Sequence, residues 1–413
     1  MGSPDVLVLL LGGFPTLGAP SNHVLRICRG LQLHGWSPMV LSVGFRSSAL
    51  NDEDRREKSK WGIPYRCTYI QDLRWPLSAL SNIALLHQAS ILLAGMLREA
   101  FRTCRIRAVL FTMSSFVAYH RLFALCRQAG VAVITYEAEY PVLENWDRVL
   151  TGGYFDGRTY LRWTLPHADG LVGISRFWAA KAKALNLPFM LVPSSLPEEL
   201  SYFTKPPTEH RSQTPGQFHL VTLGRWVPRE RPLTLLRAVK RAYEMGVPIR
   251  YTAIGNVGQS PSEYRAMRYF RNDGLLRQLV SIAGSVDEAS KLELLKSADV
   301  FVLLRSDSVE TAALFPTRLP EYLVHGHPVI VSEAGDLACY LEHGSSAWVV
   351  GAHDDVDEVA TALATLFKSP DLACRIGLGG FAKALETFSI ESNGRKISEF
   401  IYKITRGCRT EDG

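Results

Sequence analysis

Leu314-Phe315-Pro316-Thr317-Arg318-Leu319-Pro320-Glu321-Tyr322-Leu323-Val324-His325-Gly326-His327-Pro328-Val329-Ile330 is the stretch whose reading decides the fold. Alone, it reads as a short loop, a helix from about Thr317 to Val324, a turn and a buried strand. Pro316 stands near the helix start, where first-turn N–H groups lack intrahelical partners and a missing donor is harmless. Gly326 with Pro328 beyond it is a stop signal, and Val329-Ile330-Val331 is apolar and β-branched. A loop entering a helix N-terminus offers an anion its backbone N–H groups and the positive end of the helix dipole. Glu321 follows one turn inside. The pair suits a nucleoside diphosphate whose ribose hydroxyls meet that carboxylate. It equally suits an ordinary loop–helix–strand unit in which Glu321 is a solvated helix residue.

Working outward, the same grammar repeats in both directions. Val6–Leu11 is a continuous apolar run of the kind a parallel sheet buries on both faces. It leads into the glycine-rich loop Gly12-Gly13-Phe14-Pro15-Thr16-Leu17-Gly18, a helix from about Ser21 to Leu33 and a strand at Met39–Val43. This is a βαβ unit, but its loop lacks the G-x-G-x-x-G spacing of dinucleotide enzymes. Asn51–Lys60 reads as a charged loop, Leu77–Cys104 as one long or broken helix, and Val131–Tyr136 as a strand running into Glu137 and Glu139. Carboxylates at the C-terminal end of a parallel strand stand where α/β folds place ligands. Ser175 reads as a helix N-cap.

Between Pro193 and Gln217, prolines cluster with Ser, Thr and Gly, as in a linker. A second α/β series follows. His219–Leu223 is its first strand, and the loop after it carries Arg225, Arg229 and Arg231, planar forks that suit a diphosphate. The expected organisation is therefore two doubly wound, Rossmann-like α/β domains, 1–196 and 218–413, joined by a linker at 197–217. The last helix is expected to pack back on the first domain.

Composition agrees. The 413 residues exceed one core, and 47% apolar with 21% charged residues is a soluble, globular balance. Seven scattered cysteines without metal-ligand spacing fit free thiols in a reducing cytoplasm. The N-terminus carries no basic segment before its apolar run, so no secretory signal is expected. Charge is uneven: residues 1–196 hold 21 Lys+Arg against 13 Asp+Glu, and the remainder holds 25 against 27. The basic half is either an ordinary solvated surface or a face for an anionic membrane or acceptor.

Taken in order, these residues resemble the retaining, GT-B-fold glycosyltransferases of family 4. The resemblance lies in Gly18 to Val24 with His34-Gly35, in Ala168-Asp169-Gly170 to Ser175, and in Gly224-Arg225 with Arg231 in place of the usual Lys. Ser297-Ala298-Asp299 and Pro320-Glu321-Tyr322 to Ile330 complete it. It implies a nucleotide-sugar donor, a glycan, lipid-linked or small-molecule acceptor, no nucleic acid partner, and no metal or other cofactor. It further implies diphosphate contacts from Arg225 and Arg231 and from the Phe315, Pro316, Thr317, Arg318 and Leu319 backbone. Ribose contacts would come from Glu321, base contacts from Gly284 to Val286, and a close approach to the leaving diphosphate from Gly12, Gly13 and Gly18.

Two departures stand out. The Glu that the family usually carries eight residues before Glu321 is Ala313 here, with Glu310 or Ser308 as substitutes. The family's first-domain His is not evident either, leaving Glu137 and Glu139 as candidate bases. A non-catalytic nucleotide-sugar-binding relative or partner subunit is the alternative. The expected location is the cytoplasm, with peripheral contact at the inner membrane face through the basic first domain.

Overall fold

The computed structural model describes residues 3–15, 19–45, 62–70, 79–142, 152–197, 200, 203, 205–206, 216–258, 263–351 and 355–407. Gly18, the charged run Asn51–Lys60 and most of the expected linker lie outside the described residues. Two compact units emerge: Met1–Ser195 with Ala313–Phe315 and Ile390–Gly413, and Leu196–Ala312 with Pro316–Ser389.

The first unit carries strands β1 (Val6–Leu11), β2 (Pro38–Phe45), β3 (Tyr65–Ile70), β4 (Ala108–Phe111), β5 (Ala132–Glu137), β6 (Gly170–Gly173) and β7 (Phe189–Leu191). They form one sheet in the order β3-β2-β1-β4-β5-β6-β7, with parallel pairing throughout. Every residue of β1 is buried, which is why it reads as an unbroken apolar run rather than an alternating one. The order reverses between β1 and β4, so the loops leaving them splay apart and open a crevice at their C-terminal ends.

The final helix, Ile390–Gly407, belongs to this unit and packs against helix Ala19–Leu33. Glycine makes the contact possible: a Cβ on Gly394 would lie 2.4 Å from Gly30 Cα and 2.5 Å from its carbonyl oxygen. Trp36 Nε1 donates to Ser398 Oγ at 2.9 Å, and Asn393 Nδ2 to the Pro193 carbonyl at 3.0 Å, pinning the helix along its length.

The second unit carries β8 (Phe218–Leu223), β9 (Ile249–Ile254), β10 (Val280–Gly284), β11 (Val300–Leu303), β12 (Val329–Ser332) and β13 (Trp348–Val350), in the order β10-β9-β8-β11-β12-β13. All pairs are again parallel. Here the order reverses between β8 and β11. The loop after β8 carries the arginines, and the chain leaving β11 leads to the Phe315–Glu321 stretch.

Several local expectations shift. Leu77–Cys104 is one continuous helix, Ala79–Thr103, and a further helix spans Gly153–Trp163. Helices Tyr264–Asn272 and Gly274–Leu279 and strands β7 and β13 were not read from the pattern. Ser175 stands at its N-cap position without a capping bond, because its hydroxyl donates to the Ala313 carbonyl at 3.1 Å instead.

Gly394→Ala should destabilise the full chain by about 1–3 kcal/mol, the usual cost of overpacking a closed contact. Chemical denaturation monitored on the first unit checks this, and a wild-type midpoint would show that the Gly30–Gly394 contact does not fix the helix.

Candidate functional site

At the β8 end the chain turns through Gly224 at φ 105°. A Cβ there would sit 2.5 Å from Arg318 Nη1, so glycine is what lets that guanidinium lie on the loop backbone. Gly255, after β9, has φ 134°, and a Cβ on it would lie 2.8 Å from the Gly224 carbonyl oxygen. Gly255 N donates to the Gly284 carbonyl at 2.8 Å, and Gly284 has φ 68°. Three consecutive strand ends thus draw together on glycines that no other residue replaces without strain.

Arginines surround this floor. Arg225 Nε donates to Glu263 Oε1 at 2.6 Å; the carboxylate is fully buried and also accepts from Gly258 N at 2.5 Å, while the Arg225 side chain is 53% exposed. Glu230 is the hub of the rest. Its Oε1 accepts from Arg305 Nη1 at 2.6 Å and lies 3.7 Å from Arg229 Nε, and its Oε2 pairs with Arg318 Nη2. Arg229 Nη1 also meets Glu310 Oε1 at 2.9 Å. Arg225, Arg229, Arg305 and Arg318 thus share three carboxylates, Glu230, Glu263 and Glu310, at the strand ends, with Arg231 on the same loop as Arg229. The Arg305 side chain is 5% exposed, and its Nε and Nη2 have no hydrogen-bond partner. Burial lowers its pKa against the pull of Glu230, whereas Arg318, also buried, is raised because Glu230, Tyr322 and Tyr251 outweigh desolvation.

Arg231 adopts φ 48°, a left-handed conformation uncommon for a side-chain-bearing residue, between a short 3-10 turn at Pro228–Glu230 and helix Pro232–Glu244. Its place is set by the turn, and Pro232 then starts the helix at a position where proline is preorganised.

The Arg318–Leu323 helix begins after Pro316 and Thr317, and Leu319 N donates to the Pro316 carbonyl at 3.1 Å. Tyr322 stacks on Phe301 of β11, with ring centroids 4.6 Å apart, and its hydroxyl accepts from Leu223 N at 2.5 Å. That pair ties the helix to both strands at the switch point. Glu321 is mostly buried and pairs with Lys291 Nζ at 3.0 Å; Lys291 also meets Glu288 at 2.6 Å. Burial works against the Lys291 charge, but Glu321 and Glu288 together raise its pKa. Lys291 lies on the helix that follows Gly284, Ser285 and Val286, so that loop and the Glu321 carboxylate share a support.

The site residues read from the sequence therefore divide. Arg225, Arg231, Pro316, Thr317, Arg318, Leu319, Glu321, Gly284 and Val286 all belong to the second unit. Gly12, Gly13, Glu137 and Phe315 belong to the first. Gly12, at φ 146°, donates to the Val43 carbonyl at 2.8 Å at the end of β1. Glu137 is the last residue of β5 and is fully buried, its oxygens accepting from Ser114 Oγ at 2.6 Å and Tyr160 OH at 2.7 Å. Burial raises its pKa, opposed by those hydroxyls and by Thr135. A carboxyl with both oxygens engaged inside the unit anchors a strand end, and the role of base finds no support in this arrangement. Ala313 is fully buried, its carbonyl accepting from Ser175 Oγ and Trp178 Nε1, each at 3.1 Å. Glu310, the suggested substitute, is held by Arg229.

Sequence reasoning missed Glu230, Glu263, Lys291 and Arg305. Only Arg305 left a local signal, a charged residue directly continuing an apolar strand. Among the described residues, no group of three or more His, Cys, Asp or Glu is placed to hold a metal ion.

Residues 217–369 match the profile of the family described as Glycosyl transferases group 1. No curated protein matches the chain. Solved structures match in fold across nearly its whole length. Anabaena Alr3699/HepE in complex with UDP aligns with TM-score 0.68 at 12% identity, covering 97% of this chain and 100% of that one. A glycosyltransferase from Rickettsia africae aligns with TM-score 0.70 at 12% identity, covering 98% and 99%. The sucrose-phosphate synthase of Thermosynechococcus elongatus aligns with TM-score 0.68 at 15% identity, covering 98% and 100%. At such identities the likeness establishes the GT-B fold.

Two outcomes follow from this geometry. Glu230→Gln leaves buried arginines without their counter-charge and should cost about 3–5 kcal/mol. Pyrophosphate should then raise the melting temperature of the variant more than that of wild type, and an equal response would remove Glu230 from the anion site. At Glu137, the raised folded-state pKa means that its contribution is complete below the unfolded-state value and is lost as pH rises through the folded one. The stability of wild type relative to Glu137→Gln should therefore fall as pH rises, where a pH-independent difference would refute the raised pKa.

Proposed function

Because residues 217–369 are a group 1 glycosyltransferase domain on a GT-B chain, we propose that the protein transfers a sugar from a nucleoside-diphosphate sugar, with UDP as the first nucleotide to test, to an acceptor hydroxyl with retention of configuration. The observation that carries this reading is the surplus of guanidinium groups around Glu230 at the β8 and β11 ends. UDP enters because it is bound in the Alr3699/HepE structure.

In the reaction, the bond between the anomeric carbon and the diphosphate oxygen breaks, and the acceptor oxygen bonds to that carbon from the same face. The acceptor's proton passes to the departing diphosphate. Charge develops on the leaving group, so fixed cations aimed at it stabilise the transition state more than the ground state. Arg225 and Arg231 are assigned that role, assisted by the Pro316–Leu319 backbone. Glu321 accepts the ribose hydroxyls, and Lys291, 3.0 Å from it, holds the carboxylate in place. Gly284 to Val286 line the base side. These cations supply the charge stabilisation for which other transferases use a divalent ion, so turnover is proposed to be independent of metal and to take place in the cytoplasm. The missing acid at Ala313 leaves a non-catalytic nucleotide-sugar-binding protein as the second reading.

Release of free UDP that depends on acceptor, undiminished by EDTA, is the expected result; tight donor binding without turnover on any acceptor favours the second reading. Arg231→Ala should weaken donor binding or turnover at least about tenfold, the usual effect of losing a charge-assisted contact. Arg231→Gly should do the same while holding or raising the melting temperature, because glycine relieves the left-handed backbone. Wild-type kinetics in Arg231→Ala and Arg225→Ala would remove the diphosphate assignment. Glu321→Ala should lose about 2–3 kcal/mol of UDP binding, read by calorimetry, and unchanged affinity would end the ribose assignment.

A further inference from the structure

Helices Ala79–Thr103, Phe116–Gln128 and Gly153–Trp163 pack side by side in the first unit. The longest, some 37 Å at the standard rise, is the one described helix long and apolar enough to cross a membrane, yet only 22% of its most apolar window is buried. Ala89, Leu93 and Leu97 are completely buried, so the helix lies flat on the unit and does not span anything.

Its outward stripe is what water should not favour. Leu80, Ile83 and Ile91 are 78%, 44% and 58% exposed, and with exposed His87 between the last two they run at three- and four-residue intervals through Gly95 into Arg98 and Arg102. The neighbouring helices extend the same character. Arg121 and Arg127 are exposed on the middle one, and Arg158 and Arg162 on the third, beside exposed Phe155 and Trp163. The Arg162 guanidinium lies 5.3 Å from the Trp163 ring centroid, a pairing of cation and amphipathic ring. The only acids on the three helices are Glu99 and Asp156. Arg66 neutralises Glu99 at 2.6 Å, and Asp156 Oδ1 accepts from Val117 N at 2.9 Å at the start of the middle helix. Arg158 turns onto Tyr140, donating to its hydroxyl, and the other five exposed arginines face outward without a free carboxylate on the three helices.

We propose that this three-helix face seats on an anionic lipid surface. Aliphatic and aromatic side chains would enter the headgroup boundary while the arginines meet lipid phosphates. Apolar burial combined with cationic attraction is the signature of an interfacial helix, and each arginine near an anionic leaflet is worth roughly fivefold in partitioning. A polyanion such as RNA would use the arginines but leave Leu80, Ile83 and Ile91 in water, so the lipid fits the whole face. The inference does not rest on the donor site, and its test uses no activity.

Flotation of the full chain with vesicles of neutral phosphatidylcholine, and of the same lipid with about 30% phosphatidylglycerol, decides it. At roughly physiological salt the protein should float with the anionic vesicles only and be released by high salt. Arg98→Glu with Arg102→Glu, and separately Leu80→Ser with Ile91→Ser, should each lower the bound fraction at least fivefold at unchanged melting temperature. Absence of co-flotation would overturn the proposal. So would equal binding to neutral vesicles, loss with the charge variant only, or competition by RNA that both variants share.

Discussion

The structure of the second unit turns on one carboxylate. Glu230 stands 10% exposed, and three arginines from three places in the chain converge on it. Taking such charges out of water is expensive, and their attraction offsets the cost only when the geometry is good. Here one hub is not enough for all of them: Arg305 keeps two buried nitrogens without a partner. A site with too few carboxylates for its guanidinium groups is preorganised for an anion, because binding completes charges already desolvated and costs little rearrangement. The glycines at 224, 255 and 284 serve the same end by letting backbone and guanidinium approach where a Cβ would intervene.

What was legible in the sequence follows from how far apart the cooperating residues lie. Both sheets could be read except for their edge strands β7 and β13, because parallel strands buried on two faces appear as short, purely apolar runs between helical periods. Arg225, Arg231 and Glu321 could be singled out as candidates, because each stands beside a turn or helix start that gives it local meaning. Glu230 and Arg305 are 75 residues apart and Arg225 and Glu263 are 38 apart. Nothing local marks either pair, and only the meeting of strand ends joins them. Ser175 holds the N-cap position its neighbours spell, but a carbonyl 138 positions away takes its hydroxyl, and nothing local marks that bond.

Glu137 is the instructive misplacement. At the end of a strand a carboxylate can point to ligand or to core, and sequence does not say which. Ser114 and Tyr160 settle it, from elements on either side of β5, by closing over both oxygens. Ala313 likewise acquires a reading from its surroundings. It is fully buried, and its backbone rather than a side chain is what Ser175 and Trp178 engage.

The central claim is that the cationic excess around Glu230 exists for a diphosphate, and comparing UDP, UMP and uridine by calorimetry on the full chain tests it most directly. The account predicts that UDP binds at least about tenfold more tightly than UMP, one charge-assisted contact being worth about 1.5–3 kcal/mol, and that uridine binds weakest. Equal affinity for UDP and UMP, or binding to none of the three, would contradict it.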